Sequence, residues 1–212
     1  MKKQIVGLLV VAQGLIWPLA AQASEQVLSK FFTDVTTLSA QFDQKVVDET
    51  GFVLETSSGT FYLSRPGQFR WDYQSEDPDY ELGQQIVADG QSIFMYDPDL
   101  QQVTQRTLED ALAQIPSLLL VQTGEKIDEH FNVSDFGVIE DLSWVGLKPK
   151  DENAGYQQLM IGFLGEEINT ITLLDGLGNE TRLSLTVVRA NVELEKDVFA
   201  FDAPEGSDVL VQ

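Results

Sequence analysis

The hydrophobic positions of this chain change period once near its start. Between Ser24 and Leu38, the residues Val27, Leu28, Phe31, Phe32, Val35 and Leu38 recur at the spacing of one helical face and predict an amphipathic helix over that stretch. From Ala40 the period becomes two. Alternation predicts strands at Ala40–Val47, Thr60–Arg65, Gln68–Tyr73, Gln85–Ala88, Ser92–Tyr96 and Gln101–Arg106, and again at Leu142–Lys148, Gln157–Phe163, Ile168–Asp175, Thr181–Val188 and Val198–Phe201. Turn chemistry separates them: Pro66-Gly67 suits the centre of a type II turn, Asp89-Gly90 a type I′ hairpin, and Asp97-Pro98 a further reversal. Sequential hairpins describe an antiparallel meander.

The interruption between the two runs of strands is helical. Thr107 is placed to cap a helix beginning Leu108-Glu109-Asp110, and Pro116 sits at the first position of a second, very apolar helix containing Leu118, Leu119 and Leu120. A mainly β chain with a few short apolar helices predicts a curved antiparallel sheet whose concave face the helices cover. That face receives Phe31, Phe32, Phe61, Leu63, Phe69 and Trp71, with Phe94 or Tyr96 joining them. Solid core packing and a cavity for an apolar ligand both fit this pattern.

One residue breaks the rule of the concave face. Continuing the alternation of Phe61 and Leu63 by two lands on Arg65. From the residues alone, pairing with one of the many acids on the surface is the plainer reading of such an arginine.

Composition adds a setting. Lys2-Lys3, an apolar run from Ile5 to Leu19 and Ala21-Gln22-Ala23 together describe a secretory signal peptide over residues 1–23, cleaved before Ser24. The run is shorter and more interrupted than a membrane-spanning helix requires, so the remaining 24–212 segment reads as one exported domain that is not membrane-integral. There is no cysteine, so the domain relies on its core rather than on disulfides, and no lipid can be attached through a cysteine at the cleavage site.

Charge and candidate chemistry mainly exclude. With 34 acidic against 13 basic residues and a formal charge of −21, the surface repels nucleic acid and anionic headgroups. His130 is the only histidine and lies in a polar stretch. With no cysteine either, the usual zinc sites have no ligands. No nucleophile elbow or phosphate-cradling loop is present, and no residue pattern asks for a metal or a cofactor. The reading is a binding protein rather than an enzyme.

Several stretches carry a family resemblance. Ala40-Gln41-Phe42-Asp43-Gln44-Lys45-Val46, then Gly59-Thr60-Phe61-Tyr62-Leu63-Ser64-Arg65-Pro66-Gly67-Gln68-Phe69-Arg70-Trp71, resemble the outer-membrane lipoprotein carrier family, LolA. Val87-Ala88-Asp89-Gly90, Phe94-Met95-Tyr96-Asp97-Pro98, the helix beginning at Pro116 and the closing Phe199-Ala200-Phe201-Asp202-Ala203-Pro204-Glu205-Gly206 extend the likeness over essentially the whole 24–212 segment. Ser117 departs from it, being polar where a large apolar residue would suit a lid.

The resemblance implies an unclosed antiparallel β-barrel with a helical lid over a hydrophobic concave face. It implies a monomeric periplasmic chaperone that receives acylated lipoproteins from an inner-membrane ABC transporter and delivers them to an outer-membrane receptor. That receptor is anchored through a cysteine, so the absence of cysteine favours the carrier. A related lipid or lipoprotein sensor and an acyl hydrolase are the alternatives. The resemblance also turns Arg65 into a lid latch, bonding carbonyls near Phe32 on the first helix and near Leu120 and Val121 on the second. It makes Phe32, Phe61, Leu63, Phe69, Trp71, Leu118, Leu119 and Leu120 the acyl-chain cavity.

Overall fold

The computed structural model describes residues 23–75, 83–112, 120–121, 127–152 and 154–212. Helix α1 (Ala23–Asp34) leads into β1 (Thr37–Val47), β2 (Val53–Ser64), β3 (Gln68–Tyr73), β4 (Gln85–Asp89), β5 (Ser92–Asp97) and β6 (Gln102–Thr107). Two short helices follow, α2 (Leu108–Leu112) and α3 (Ile127–His130). The second run of strands is β7 (Phe131–Ile139), β8 (Leu142–Pro149), β9 (Tyr156–Leu164), β10 (Glu167–Asp175), β11 (Glu180–Ala190) and β12 (Asp208–Val211).

All twelve strands form one sheet in the order β12-β6-β5-β4-β3-β2-β1-β11-β10-β9-β8-β7. Its two edges, β12 and β7, pair with nothing beyond them among the described residues, so the sheet curls without closing. Pairing is antiparallel throughout except between β12 and β6, which run parallel. The long strands β1 and β2 lie at the middle, where β1 joins the two halves by pairing with β11 on its other side.

Alternation puts the core on one face. Leu38, Ala40 and Phe42 of β1, Phe61 and Leu63 of β2, and Phe69 and Trp71 of β3 are all buried, as are Leu159, Ile161 and Phe163 across the sheet on β9. Each such fully buried large side chain contributes about 1.5–3 kcal/mol relative to exposure. α1 lays Leu28, Phe31 and Phe32 into this concave face, with Phe31 meeting Phe163 edge-on at 5.8 Å between ring centroids. Gly59 is required beneath Phe42: a Cβ there would lie 2.0 Å from the Asp72 carbonyl oxygen and 2.8 Å from the Phe42 ring.

The helix is shorter than its hydrophobic spacing predicts. It stops at Asp34, and Leu38 belongs to β1. Asn191, at the end of β11, holds this break: its Nδ2 donates to the Asp34 carbonyl at 2.9 Å, and its Oδ1 accepts from Thr36 N at 2.9 Å. Spacing alone does not distinguish a fourth helical turn from the start of a strand when both bury the same apolar positions.

Other differences have similar causes. The Asp89–Ser92 reversal has only Gly90 in the left-handed region (φ 100°), the sign pattern of a type II′ rather than a type I′ turn. Gly67 has the positive φ expected of it (81°), after a cis Arg65–Pro66 bond. Residues 198–201 form no strand. They belong to an irregular strap, residues 192–201, whose turns at 195–200 lie on the convex face.

The strap explains a second correction. Phe94 and Tyr96 do not join the concave core: their cross-strand partners Val87, Gln85 and Val103 mark the opposite face, and Phe94 stacks on Phe201 of the strap at 5.0 Å. Strands β7 and β12 and helix α3 lie outside the predicted elements. The two strands are edges with exposed apolar residues, so their alternation is weak.

Candidate functional site

Arg65 follows the last residue of β2 and precedes the reversal into β3, at the end of the concave face nearest α1. Its own backbone N–H donates to the Thr36 carbonyl at 2.8 Å, which pins it beside the end of the helix. The guanidinium then spreads over three carbonyls from two separate segments. Nε donates to Leu120 O at 3.0 Å, and one terminal nitrogen donates to Phe31 O at 3.2 Å and to Val35 O. The neighbouring Gly67 N–H donates to Val121 O at 3.1 Å. One turn of the chain therefore ties both helical segments to the β2–β3 hairpin.

The guanidinium also lies against two aromatic rings. Its Cζ lies 4.7 Å from the Phe31 ring centroid and 4.9 Å from that of Phe32. Such stacking suits the weakly hydrated, planar arginine head. Burial pushes Arg65 down to about 10, still well above neutral pH, so it remains a full cation. On the side of α1 the acceptors are the Phe31 carbonyl of the helix and the Val35 carbonyl just beyond it, rather than that of Phe32.

At the other end of the concave face lies an apolar cavity of about 120 Å³. Trp71, Tyr73, Ile86 and Gln44 line it from one half of the sheet, and Leu159, Ile171, Leu173, Thr181 and Leu183 from the other. Phe42 and Phe61 hold the Trp71 ring at centroid distances of 5.1 and 4.8 Å. The Tyr73 hydroxyl donates to Gln44 Oε1 at 3.3 Å. Burial, and then the nearby Glu55 carboxylate, push the Tyr73 phenol up to about 12, so it stays a neutral donor.

The residues expected to line a cavity divide accordingly. Trp71 does line it. Phe61, Leu63 and Phe69 are packed in the core outside its lining, and Phe32 and Leu120 belong to the Arg65 cluster, each at most 4 % exposed. Leu118 and Leu119, like Ser117, lie outside the described residues. Gln44 and Tyr73 are not among the cavity residues expected from sequence, although parity carries both: Gln44 continues Leu38, Ala40 and Phe42, and Tyr73 shares the face of Phe69 and Trp71. No local signal announces the wall contributed by Leu159, Ile171, Leu173 and Leu183.

Among the described residues, no helix is long and apolar enough to cross a membrane, and no group of histidine and acidic side chains is arranged to hold a metal ion. The site is one of apolar surface and hydrogen-bonded carbonyls.

Comparison with known proteins agrees with this geometry. Residues 33–202 match the model of the family described as "Outer membrane lipoprotein carrier protein LolA". An outer-membrane lipoprotein carrier protein of Methylococcus capsulatus is 37% identical over 95% of this chain and 95% of its own length. The protein of the same description from Cupriavidus taiwanensis is 37% identical over 92% of this chain and 90% of its own. A conserved protein from Thermus thermophilus shares the fold, with a TM-score of 0.55 at 11% identity, covering 90% of this chain and all of that one. Match and relatives span nearly the whole described domain, and the chain belongs to the outer membrane lipoprotein carrier family, LolA.

Proposed function

We propose that this chain is a periplasmic carrier of acylated lipoproteins, holding their acyl chains against the concave face beneath α1 and the segment around Leu120. The observation that carries the reading is the Arg65 cluster: a buried cation joins two helical segments to the sheet over an apolar face through hydrogen bonds to backbone carbonyls. Such bonds are individually worth only about 0.5–1.5 kcal/mol net, up to about 3 to a charged group, so the helices can be displaced by a ligand of sufficient apolar surface.

The magnitudes favour a lid that opens. Burying acyl chain yields about 0.8 kcal/mol per methylene, so a chain of roughly 15 carbons represents on the order of 12 kcal/mol. A cavity of about 150 Å³ holds one benzene-sized molecule, and the 120 Å³ here is smaller still. A whole acyl chain therefore requires Phe32, Phe61, Leu63, Phe69 and Leu120 to part, and Leu118 and Leu119 belong with them in this proposal. Closing the empty face again by Arg65 offsets part of the binding energy and keeps release feasible.

The rest of the proposal concerns the cell. Residues 1–23 act as an export signal; the cargo arrives from an inner-membrane ABC transporter and leaves to an outer-membrane receptor. The protein works as a monomer, without cofactor and without chemistry on its cargo. Incubation with a purified lipoprotein, followed by native mass spectrometry, tests this. A one-to-one complex with intact acyl chains is expected, and none with the same protein stripped of them. Equal association of both forms would overturn the carrier, and shortened acyl masses would indicate hydrolysis instead.

A further inference from the structure

The apolar cavity has a polar end that the carrier reading does not by itself explain. Trp71 is 3% exposed, and its indole Nε1 is buried with no hydrogen-bond partner among the described residues. Ser57 Oγ is in the same condition. Ser57 is the direct cross-strand partner of Gln44, and Gly59, two residues on, is the partner of Tyr73. Trp71, Gln44 and Tyr73 all line the cavity. Trp71, Gln44 and Tyr73 thus line one end of a face that is otherwise aliphatic and aromatic, with Ser57 beside Gln44 in the ladder.

A buried donor without an acceptor destabilises the state that contains it, and native proteins seldom keep one without a use. The other mature-domain tryptophan shows the ordinary solution: Trp144 Nε1 donates to the Ile139 carbonyl at 3.3 Å. Trp71 instead sits between the Phe42 and Phe61 rings, which offer its N–H no carbonyl or side-chain oxygen. The indole N–H is the part of Trp71 that apolar packing does not need.

Resting on the carrier reading, we propose that Trp71 Nε1 and Ser57 Oγ, with the Gln44–Tyr73 pair, form a subsite for the carbonyl oxygen of an acyl group. An acyl chain differs from an alkyl chain by that one acceptor, at the point where the methylene tail meets its linkage. An acceptor seated beside Trp71 would set the depth of the chain. Its tail would then run past Phe61, Leu63 and Phe69 toward α1 and the Arg65 cluster at the far end. The polar end thereby selects acylated cargo over other apolar molecules, whereas the aliphatic wall contributes affinity without that distinction.

Two synthetic lipopeptides test the subsite, one with two ester-linked hexadecanoyl chains and one with ether-linked hexadecyl chains of the same length. Binding of each is measured by native mass spectrometry, together with the indole N–H resonances of 15N-labelled protein. The wild type should prefer the ester probe by about five-fold, the scale of one neutral hydrogen bond. The Trp71 indole resonance should move with the ester probe alone, and that of Trp144 with neither. Trp71→Phe should remove most of the preference while retaining affinity for the ether probe. Equal wild-type affinity for both probes, with the same Trp71 shift, would overturn the subsite and leave the carrier reading standing. Binding of neither probe would overturn both. If Trp71→Phe does not fold, the wild-type comparison and Ser57→Ala still decide.

Discussion

Arg65 and Arg70 stand on opposite faces of the same β-hairpin, and each holds a separate part of the chain by its carbonyls. Arg65 donates inward to Leu120, Phe31 and Val35. Arg70, oriented by Asp72 at 2.6 Å, donates outward to Val198 and Ala200, both at 3.3 Å. The β2–β3 hairpin therefore organises both the helices over the concave face and the strap over the convex one.

For the inward arginine, Arg65→Leu removes the fork and its hydrogen bonds to the carbonyls of Phe31, Val35 and Leu120. Loading with a lipoprotein should persist, while onward transfer to an acceptor should fall by at least ten-fold, because the empty closed state is no longer favoured. Arg65→Lys should be intermediate, since one ammonium cannot span acceptors on two segments in a planar fork. Paired uptake and release assays measure this; equal rates in all three proteins would remove Arg65 from the mechanism.

Truncations should separate packed core from cavity wall. Leu63 is fully buried, and Leu63→Ala should destabilise by about 2–5 kcal/mol. Leu173 already borders the cavity, so Leu173→Ala should lose less than about 2 kcal/mol and act mainly on cargo retention. Denaturant unfolding alongside lipoprotein binding reads both quantities.

The strap should open independently of the core. Phe201→Ala removes the stack on Phe94, and Arg70→Met removes the donor to Val198 and Ala200. Hydrogen exchange in residues 192–201 should accelerate by roughly ten-fold in either variant, with β1 and β9 unchanged. Acceleration spread evenly over the sheet would show that the strap and core unfold together.

Alkaline stability should depend on Tyr73. Its folded value is raised to about 12 from 10.0, so it stabilises the fold below pH 10 and that contribution disappears as pH rises to about 12. Arg65 acts in the opposite sense: its folded value of about 10 lies below that of an ordinary guanidinium, so the unfolded chain binds more protons above pH 10. Comparing the wild type with Tyr73→Phe isolates the tyrosine. The wild type should lose more stability than the variant between pH 10 and 12, as measured by chemical denaturation across that range.

Several features of this protein are determined by short-range pattern. Period-two alternation places Phe61, Leu63, Phe69 and Trp71 on one face because the pleated backbone allows no other arrangement. The same parity leads to Arg65, and Gly67 marks the reversal because its φ is positive. The two runs of hairpins and the helical interruption follow from these signals.

What tertiary structure alone decides is which distant segments meet. Every residue carries the same carbonyl, so nothing in the side chains at Phe31, Val35 or Leu120 marks those three as the acceptors of Arg65. The faces of Phe94 and Tyr96 depend on a strap far along the chain, and β12 reaches β6 in parallel through a long connection. The cavity exists because β1, β3 and β4 curl toward β9, β10 and β11. That curvature follows from the twist of a twelve-stranded sheet and the burial of its whole apolar face, a property of no single stretch.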